Sequence, residues 1–420
     1  MSDIFVRNTK KLLSFAMITP ILFSGCDVDS NDSSTIQTIV IEGTSSDNGY
    51  QVDWKSDESK PAMADTTAVE ITGVPVLGNG NHTLEGVTLT LIANQENGLN
   101  RPRDLAFNPT SPNQLWIVNQ SDDSAVIVEN AGTTDQRSFK VIDPAADHFM
   151  EEVSSISFGS PGRFATCQES GNTYNNRANP NLFMGPTLWS ADYEIFGKTN
   201  PDAVRYQGFD LGSHLDMLHE SPYCVGIEWA GAEAYFTFDG MTNSITLTDF
   251  REDHGPGFDD HSDGVMVRYA TDQVKRQPGV PSHMVFDQES GLLWIADTGN
   301  RRIGVMNMNT PAEDMVRLPV IEPGTQLLQV MDHEGVITVP GTQDLLSAPS
   351  GLAMYDGVLY VSDAASGLIV ALSQDGEVLD WLNTGAPGIF GLEFDTEGNL
   401  YLAHGTQNLI VKISPTKTLQ

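Results

Sequence analysis

The residues best suited to chemistry are concentrated in one acidic segment, DFREDHGPGFDDHSDG, at positions 249–264. Two imidazoles, His254 and His261, stand there among carboxylates on either side of a Gly-Pro-Gly turn. The aspartates that we consider as donors are Asp253, Asp259, Asp260 and Asp263. Divalent cations bind such nitrogen and oxygen donors, and glycines allow a chain to fold around one ion. The segment therefore predicts a metal site, and the alternative is a solvated acidic loop.

Part of this segment is similar to the start of a DxDxDG calcium loop. Asp259, Asp263 and Gly264 occupy matching places, but His261 stands in the second slot. No glutamate follows at the twelfth position, where Arg268 and its neighbours fall. Because a standard EF-hand needs that bidentate glutamate, the sequence excludes one.

Two histidines outside the segment could complete the site. His219 lies just before the strand-like run CVGIEW, and His283, in the triplet Pro-Ser-His, opens the next strand pattern. We expect both to lie at the same end of neighbouring structural units as His254 and His261, where Asp260 adds a carboxylate. Several histidines with a carboxylate favour zinc, copper or iron over calcium.

A long loop, CQESGNTYNNRANPNLFMGPTLWSAD, carries the candidate catalytic residues. Glu169 is a candidate acid/base, and Tyr174 or Arg177 could polarise a substrate, since long ordered loops commonly shape a pocket. The alternative is a packing loop whose aromatic residues cover the sheet beneath it. The chain has no G-x-S-x-G elbow, P-loop or H-E-x-x-H motif, so serine hydrolase, nucleotidase and zincin functions have no support.

Short strands and turns recur along the chain at a spacing of about 40–60 residues, which is typical of a propeller. The clearest copies are PSHMVFDQESGLLWIADTGNRRIGV and APSGLAMYDGVLYVSDAASGLIVAL, and six units can be counted. The strand pattern GVTLTLIA (86–93) has no unit of its own, so we expect it to complete the last blade and close the circle. The predicted fold is an all-β, six-bladed propeller, with five or seven blades as alternatives.

The runs FDQESGLLWIADTGNRRI and MYDGVLYVSDAASGLI resemble the NHL-repeat family of six-bladed propellers over nearly the whole mature chain. The resemblance implies the fold and says little about function, because one propeller type hosts enzymes, binders and scaffolds. NHL propellers include the zinc lyase that completes peptide amidation. That enzyme takes histidines from three blade openings, whereas here one comparable opening has a histidine, His283. Gluconolactonase-type propellers bind calcium through inner Glu, Asn and Asp residues, and this sequence has no convincing match to that set.

Aligning the repeats defines two rings of equivalent positions. The ring near the start of the innermost strands consists of Asp104, Ser155, Gly226, His283, Gly351 and Gly391. The ring at the ends of the following strands consists of Asn119, Gln168, Asp239, Asp297, Asp363 and His404. We expect the aspartates of the second ring to cap turns. His283 and His404 interrupt their rings, and we place the metal site with His283 at the mouth of the central channel.

The N-terminus predicts export. Arg7, Lys10 and Lys11 precede an apolar stretch, residues 12–23, that is too short to span a bilayer. Ser-Gly before Cys26 resembles the lipobox of bacterial lipoproteins, which implies lipidation of Cys26, and Asp27 resembles an inner-membrane retention signal. Plain cleavage is the alternative. The predicted organisation is a signal peptide at 1–25, a flexible acidic Ser/Thr-rich tether at 26–83 and the propeller at 84–420. The expected location is the periplasmic face of the cell envelope.

Charge and cysteine content limit the partners. The chain has 22 Lys and Arg against 56 Asp and Glu, a net charge of −34, which opposes binding to nucleic acid or to an anionic membrane surface. In an oxidising compartment, Cys167 and Cys224 are expected to form a disulfide, with a thiolate metal site as the alternative.

The sequence leaves three functions open. The first is a metal-dependent hydrolase or lyase. The second is a non-catalytic binding lipoprotein with a structural ion. The third is a scaffold that calcium makes rigid. We expect a monomer with a small-molecule or peptide ligand at the mouth of the propeller, tied to the membrane through its lipid anchor alone.

Overall fold

The computed structural model describes residues 73–171, 182–203, 208–310 and 312–416, together with residues 39–41, 52, 54 and 55. Its strands form six sheets. The first strands of consecutive sheets pack on one another in a closed ring, so the sheets are the blades of a six-bladed propeller around a central channel. The predicted fold class is confirmed.

Blades 1 to 3 contain the following strands, from the channel outward. Blade 1 has Pro102–Phe107, Leu115–Asn119, Ser124–Glu129 and Arg137–Ile142, and Ile39–Ile41 pairs with the last of these. Blade 2 has Val153–Phe158, Arg163–Gln168, Thr187–Ser190 and Asp216–Met217. Blade 3 has Cys224–Gly231, Ala234–Asp239, Ser244–Asp249, Val265–Tyr269, Gln326–Val330 and Met315–Leu318.

Blades 4 to 6 follow in the same order. Blade 4 has Met284–Asp287, Leu292–Asp297, Arg302–Asn307 and Ile337–Thr338. Blade 5 has Pro349–Tyr355, Val358–Asp363, Leu368–Leu372 and Val378–Asn383. Blade 6 has Ile389–Phe394, Leu400–His404 and Leu409–Pro415, and Val87–Ala93. The helices of the described residues are short: Pro75–Leu77, Leu84–Gly86, Gln95–Asn97, Ala146–Phe149, Thr298–Asn300 and Thr342–Leu345.

The N-terminal strand closes the circle. Val87–Ala93 pairs antiparallel with the C-terminal strand Leu409–Pro415 and becomes the outermost strand of blade 6. The expected closure is confirmed. Because the first and last parts of the propeller share one sheet, the joint is held by backbone hydrogen bonds as well as by packing.

The inner ring is rich in glycine because neighbouring inner strands approach closely. A Cβ at Gly226 would lie 2.0 Å from the Ser282 carbonyl oxygen, and one at Gly351 would lie 2.3 Å from that of Phe390. Any larger side chain at these places would force adjacent blades apart. Glycine at these positions therefore serves packing and carries no chemistry.

The ends of the second strands cap turns, as expected. Asp239 accepts hydrogen bonds from the amides of Met241 at 2.9 Å and Thr242 at 3.1 Å. His404 takes over this role in blade 6, where its Nδ1 lies 3.3 Å from the amide of Gln407. Burial lowers the pKa of His404 to about 4, so it caps as a neutral imidazole.

The predicted disulfide is confirmed. Cys167, on the second strand of blade 2, is bonded to Cys224, at the start of the innermost strand of blade 3, with 5.3 Å between their Cα atoms. The bridge fastens two neighbouring blades close to the channel, and it leaves no thiolate for a metal site.

Among the residues that the structure describes, no helix has the length and apolar character needed to cross a bilayer.

Candidate metal centre

The outermost strand of blade 2 gathers an imidazole and carboxylate cluster. This strand is only two residues long, Asp216–Met217, and it is preceded by His214 and followed by His219. The acidic segment 249–264, which links two strands of blade 3, folds back to it, and His261 Nδ1 lies 2.6 Å from Asp216 Oδ1. We call His214, His219 and His261 the histidine cluster.

His261 occupies the middle of the cluster and is almost fully buried. Its Nδ1 contacts Asp216, and its Nε2 lies 3.3 Å from Asp259 Oδ1. Burial opposes charge on this ring, but the hydrogen bonds to Asp216 and Asp259 outweigh it and raise the pKa of His261 to about 10. Asp216 and Asp259 therefore occupy both ring nitrogens, and a metal ion would bind His261 only after displacing Asp259 and the proton from Nε2.

His214 and His219 each have one anchored and one unpaired ring nitrogen. Nδ1 of His214 donates to the carbonyl oxygen of Leu211 at 2.8 Å, and Nδ1 of His219 contacts the carboxylate of Glu322. The Nε2 atoms of both rings are buried and have no hydrogen-bond partner within the described part of the chain. Because the anchored nitrogens carry the hydrogen, each free Nε2 presents a lone pair.

Packing holds these rings in place. His214 stacks on Phe149 with 3.7 Å between centroids, and His219 stacks on Phe183 at 4.1 Å. Burial, and then repulsion from His261, lowers the pKa of His214 to about 3, so this imidazole stays neutral. A neutral imidazole is the form that binds metal.

The rings of the cluster are spaced more widely than imidazoles that share one ion. The centroid of His261 lies 5.8 Å from that of His214 and 6.1 Å from that of His219. Zn–N bonds of about 2.1 Å put the centroids of two ligating imidazoles roughly 5 Å apart. A common ion therefore requires the rings to close by about 1 Å. His148 is a fourth neighbour, 6.2 Å from His219, and burial followed by repulsion from His219 lowers its pKa to about 3.

A second group of donors shares Asp216. One ligand atom each of Asp216, His254 and Asp263 lies within 4.8 Å of the other two, which marks a possible metal site among the described residues. His254 Nε2 is also paired with Asp263 Oδ1 at 2.9 Å, near the surface. The Asp216 Oδ2 atom is buried and unpaired in the described structure. The histidine cluster is more widely spaced than this group and better buried.

The structure separates His283 from the other predicted metal ligands. His219, His254 and His261 lie around the outer strand of blade 2, whereas His283 lies in the central channel, where its Nδ1 is 3.4 Å from Asp104 Oδ1. Asp260 is exposed, and its Oδ1 accepts from the amide and hydroxyl of Ser262 at 3.1 and 2.8 Å. The sequence analysis placed all of these ligands together at the mouth of the channel and did not anticipate this separation. A residue that is close to an inner strand in sequence can lie either in the channel or at the outer edge of a blade.

Glu169 is held between two arginines. Its Oε2 accepts from the buried Arg103 at 3.0 Å, and its Oε1 accepts from Arg276 at 2.9 Å and from the amide of Gly279 at 2.9 Å. With both oxygens in use, this carboxylate positions the inner strands. Tyr174, Arg177 and Cys26 lie outside the described residues.

The sequence analysis missed one member of the cluster, His214, and three residues that contact the cluster, His148, Asp216 and Glu322. The available signal was His-x-Asp-x-x-His at positions 214–219, in which alternate positions 214 and 216 fall on one face of an extended chain. The strand that carries it is too short to show a hydrophobic alternation.

No family model matches this chain, and no curated protein matches it. Solved structures of propeller type are similar to it. An auxiliary nutrient binding protein from Bacteroides ovatus is 12% identical, with 79% of this chain and 77% of that chain covered and a TM-score of 0.47. A protein of unknown function from Bacteroides thetaiotaomicron is 9% identical, with coverages of 82% and 75% and a TM-score of 0.47.

Virginiamycin B lyase from Staphylococcus aureus is 12% identical, with 78% of this chain and 98% of that chain covered and a TM-score of 0.44. At such identities a likeness concerns the fold alone. The function has to be argued from the site.

Proposed function

We propose that this protein is an exported propeller that binds a divalent transition metal, zinc, copper or iron rather than calcium, in the histidine cluster, and that the site supports hydrolase or lyase chemistry. The observation that carries the proposal is the pair of anchored imidazoles, His214 and His219, with buried and unpaired Nε2 atoms.

The energetics favour an occupant. A buried polar atom without a partner costs about 1–3 kcal/mol, and coordination of a metal ion would remove that cost for each nitrogen that binds it. Each ring has a partner behind it: the carbonyl of Leu211, the carboxylate of Glu322 and, for His261, Asp216. Such second-shell contacts orient ligands and raise their basicity. Nitrogen-rich donors select transition metals, whereas calcium prefers oxygen donors.

A bound ion of this class supplies Lewis acidity, which activates water or polarises a carbonyl group. Side chains near the ion would assist the proton transfer that this chemistry requires. Asp259 is half-exposed beside His261, and hydrogen bonding to that ring lowers the pKa of Asp259. Its carboxylate therefore stays ionised at neutral pH, where it can orient a water molecule beside the cluster by accepting a hydrogen bond.

The second candidate is a non-catalytic binding propeller with a structural ion. The depth of the cluster favours it, because His214 and His219 are 0% and 4% exposed and a substrate would need a path to them. Structural sites are closed, whereas catalytic sites keep an open position.

We also propose a bacterial envelope location with Cys26 lipidated, on the inner membrane if the Asp27 signal operates. Replacing Cys26→Ala should release the protein from washed membranes into the soluble periplasmic fraction. Retention of this variant in the membrane fraction would show that another segment provides the anchor.

The metal proposal is tested by elemental analysis of purified protein with His214→Ala and His219→Ala. We expect about one equivalent of transition metal in the parent protein and loss of more than 90% in either variant, since removal of a ligand usually disables such a site. His283→Ala is the matched control and should retain the metal. Circular dichroism must show that the variants keep the propeller.

His254→Ala distinguishes the two donor groups. It should leave the metal content unchanged if the histidine cluster holds the ion, and should abolish it if the group Asp216, His254 and Asp263 does. Absence of transition metal after reconstitution, or its retention in both cluster variants, would overturn the proposal. Activity of the metal-loaded protein on ester, lactone and amide substrates then separates the enzyme from the binding propeller.

A further inference from the structure

A cavity at one end of the propeller axis is lined by none of the residues of the histidine cluster. It has a volume of about 620 Å³, within the usual range for ligand pockets. Its walls come from the residues that precede the inner strands of blades 1 to 4 and from the turns that follow the second strands. We call it the mouth pocket, and its residues used here are Arg101, Gln120, Asp123, Glu151, Glu152, Tyr223 and Arg276.

One wall of the mouth pocket offers hydrogen-bond acceptors. Asp123, Glu151 and Glu152 present carboxylates, of which Glu151 also accepts from the hydroxyl of Ser170, and Gln120 presents its side-chain amide. Gln120 is only 8% exposed, and its Oε1 has no hydrogen-bond partner within the described residues. Leaving a buried amide oxygen without a hydrogen bond reduces the stability of the fold by about 1–3 kcal/mol. A ligand that donates a hydrogen bond to this atom would recover that free energy.

The backbone holds this wall in an unusual conformation. Asp123 and Glu152 have φ angles of 50° and 55°, in the left-handed region that non-glycine residues seldom adopt. The amide of Glu152 donates to Asp123 Oδ1 at 2.7 Å, which ties the two loops together. Burial, and then the proximity of Glu151 and Asp122, raises the pKa of Asp123 to about 7. Crowded carboxylates of this kind are stabilised by a cation.

The opposite wall supplies two guanidinium groups, Arg101 and Arg276, against the four carboxylates that line the pocket. The guanidinium of Arg276 lies 4.0 Å from the ring centroid of Tyr223 and is paired with Glu169 at 2.9 Å, and Glu169 is also paired with Arg103. Arg276 is therefore held in a network in which one carboxylate is shared by two guanidinium groups. Arg101 remains at the exposed rim. The pocket is left with more carboxylates than free guanidinium groups.

The carboxylates are too far apart for a bare metal ion. Within the described structure, Asp123, Glu151 and Glu152 do not form a group whose ligand atoms lie within 4.8 Å of one another, in contrast to Asp216, His254 and Asp263. A ligand that reaches several acceptors at once must be larger and must carry its donors along its own length.

We infer that the mouth pocket binds an organic cation, a primary alkylammonium compound whose N–H groups bond the Gln120 amide oxygen and the Asp123, Glu151 and Glu152 carboxylates. This inference is independent of the metal proposal, since it shares no residue with the histidine cluster. The acidic surface of the whole chain, with its net charge of −34, assists by attracting such ligands.

The test is titration calorimetry of the purified full chain with 1,5-diaminopentane, at low ionic strength and pH 8. The uncharged 1,5-pentanediol and the dianion glutarate are matched controls of similar length. We expect saturable binding of the diamine with no detectable heat from either control. Equal binding of the diol, or no saturable binding of the diamine, would overturn the inference.

Variants locate the binding to the pocket. Gln120→Met keeps the volume and removes the acceptor, and Asp123→Asn removes a charge; each should weaken diamine binding about tenfold, as expected for the loss of one charge-assisted or buried hydrogen bond. Asp375→Asn, an exposed change elsewhere, should have no effect. Unchanged affinity in both pocket variants, with melting temperatures near that of the parent, would refute the assignment.

A further variant separates this inference from the metal proposal. His214→Ala should bind the diamine as the parent does, whatever its metal content. If calcium ions instead bind at Asp123 and the diamine does not, the pocket is a cation site of another kind and the inference fails.

Discussion

Two regions of this propeller combine histidine with carboxylates, and they differ in how the imidazoles are satisfied. In the central channel, both nitrogens of His283 face protein atoms, Asp104 Oδ1 at 3.4 Å and the Ser154 carbonyl at 3.4 Å. At the outer edge of blade 2, His214 and His219 each keep a buried Nε2 without a partner in the described structure.

The difference teaches that residue types alone do not define a metal site. Burial lowers the pKa of His283 to about 3, so the ring is a neutral core histidine with a protein oxygen near each nitrogen. The histidine cluster has the same chemistry in its side chains, but His214 and His219 each keep a buried Nε2 without a partner among the described residues. Unused bonding capacity, and not the presence of imidazole, separates the two regions.

The largest expected effect is on stability when metal is removed. Treatment with a chelator should lower the melting temperature of the parent protein, because an ion at about 1,000 times its Kd contributes roughly 4 kcal/mol. The His214→Ala/His219→Ala double variant should show no such response, and His283→Ala should respond like the parent. Differential scanning calorimetry measures the melting temperatures of all three proteins. If chelator lowers the melting temperature of the double variant as much as that of the parent, the histidine cluster does not hold the ion.

The next effect comes from the disulfide that joins blades 2 and 3. Replacing Cys167 and Cys224 by Ala should cost about 2–4 kcal/mol, because the bridge restricts the unfolded chain. The ligands of the cluster are fixed by the outer strand of blade 2 and by the segment 249–264, so this variant should keep its metal at 20 °C. Metal loss without unfolding would instead show that the joint between blades 2 and 3 supports the cluster.

A smaller effect is expected when a second-shell contact is weakened. Asp216→Asn keeps the shape of the side chain but removes the charge behind His261, and such changes typically cost 10–100-fold in metal affinity. The control is Asp104→Asn, which alters the carboxylate beside His283 and should leave the metal affinity unchanged. Competition with a chromogenic chelator gives the affinities, and equal loss in both variants would contradict the proposed role of Asp216.

The propeller was predictable from the sequence because its strands repeat. Each blade has apolar runs that end at a capping residue, such as Asp239 or Asp363. This pattern can be recognised within a short stretch of sequence. The closure by Val87–Ala93 followed from a strand pattern without a unit of its own, and the disulfide followed from two cysteines in neighbouring blades.

The candidate site was only partly predictable, because its geometry is not local. His219, His254 and His261 were recognised as donors, but Asp216 and His214 belong to a short strand without a hydrophobic pattern. Glu322 reaches His219 from a segment 103 residues away in sequence. Contacts of that kind depend on how the outer strands of blades 2 and 3 pack, which repeat alignment does not specify.

The smallest effect concerns the pH dependence of the channel. Burial, and then repulsion from Glu393 and Asp104, raises the pKa of Glu228 to about 8, and the channel also holds His283. The folded state binds a proton at Glu228 that the unfolded state releases near pH 4.5, so this carboxyl group stabilises the fold at low pH. That contribution declines as pH rises from about 4.5 to 8 and stays lost above pH 8.

Glu228→Gln does not ionise, so this variant should melt a few degrees higher than the parent at pH 9 and at about the same temperature as the parent at pH 5. Glu397→Gln, at an exposed position, should follow the parent at both values. If the Glu228 variant melts lower than the parent at pH 9, the ionised carboxylate has a stabilising partner in the channel, and that region would then resemble the histidine cluster in holding a cation.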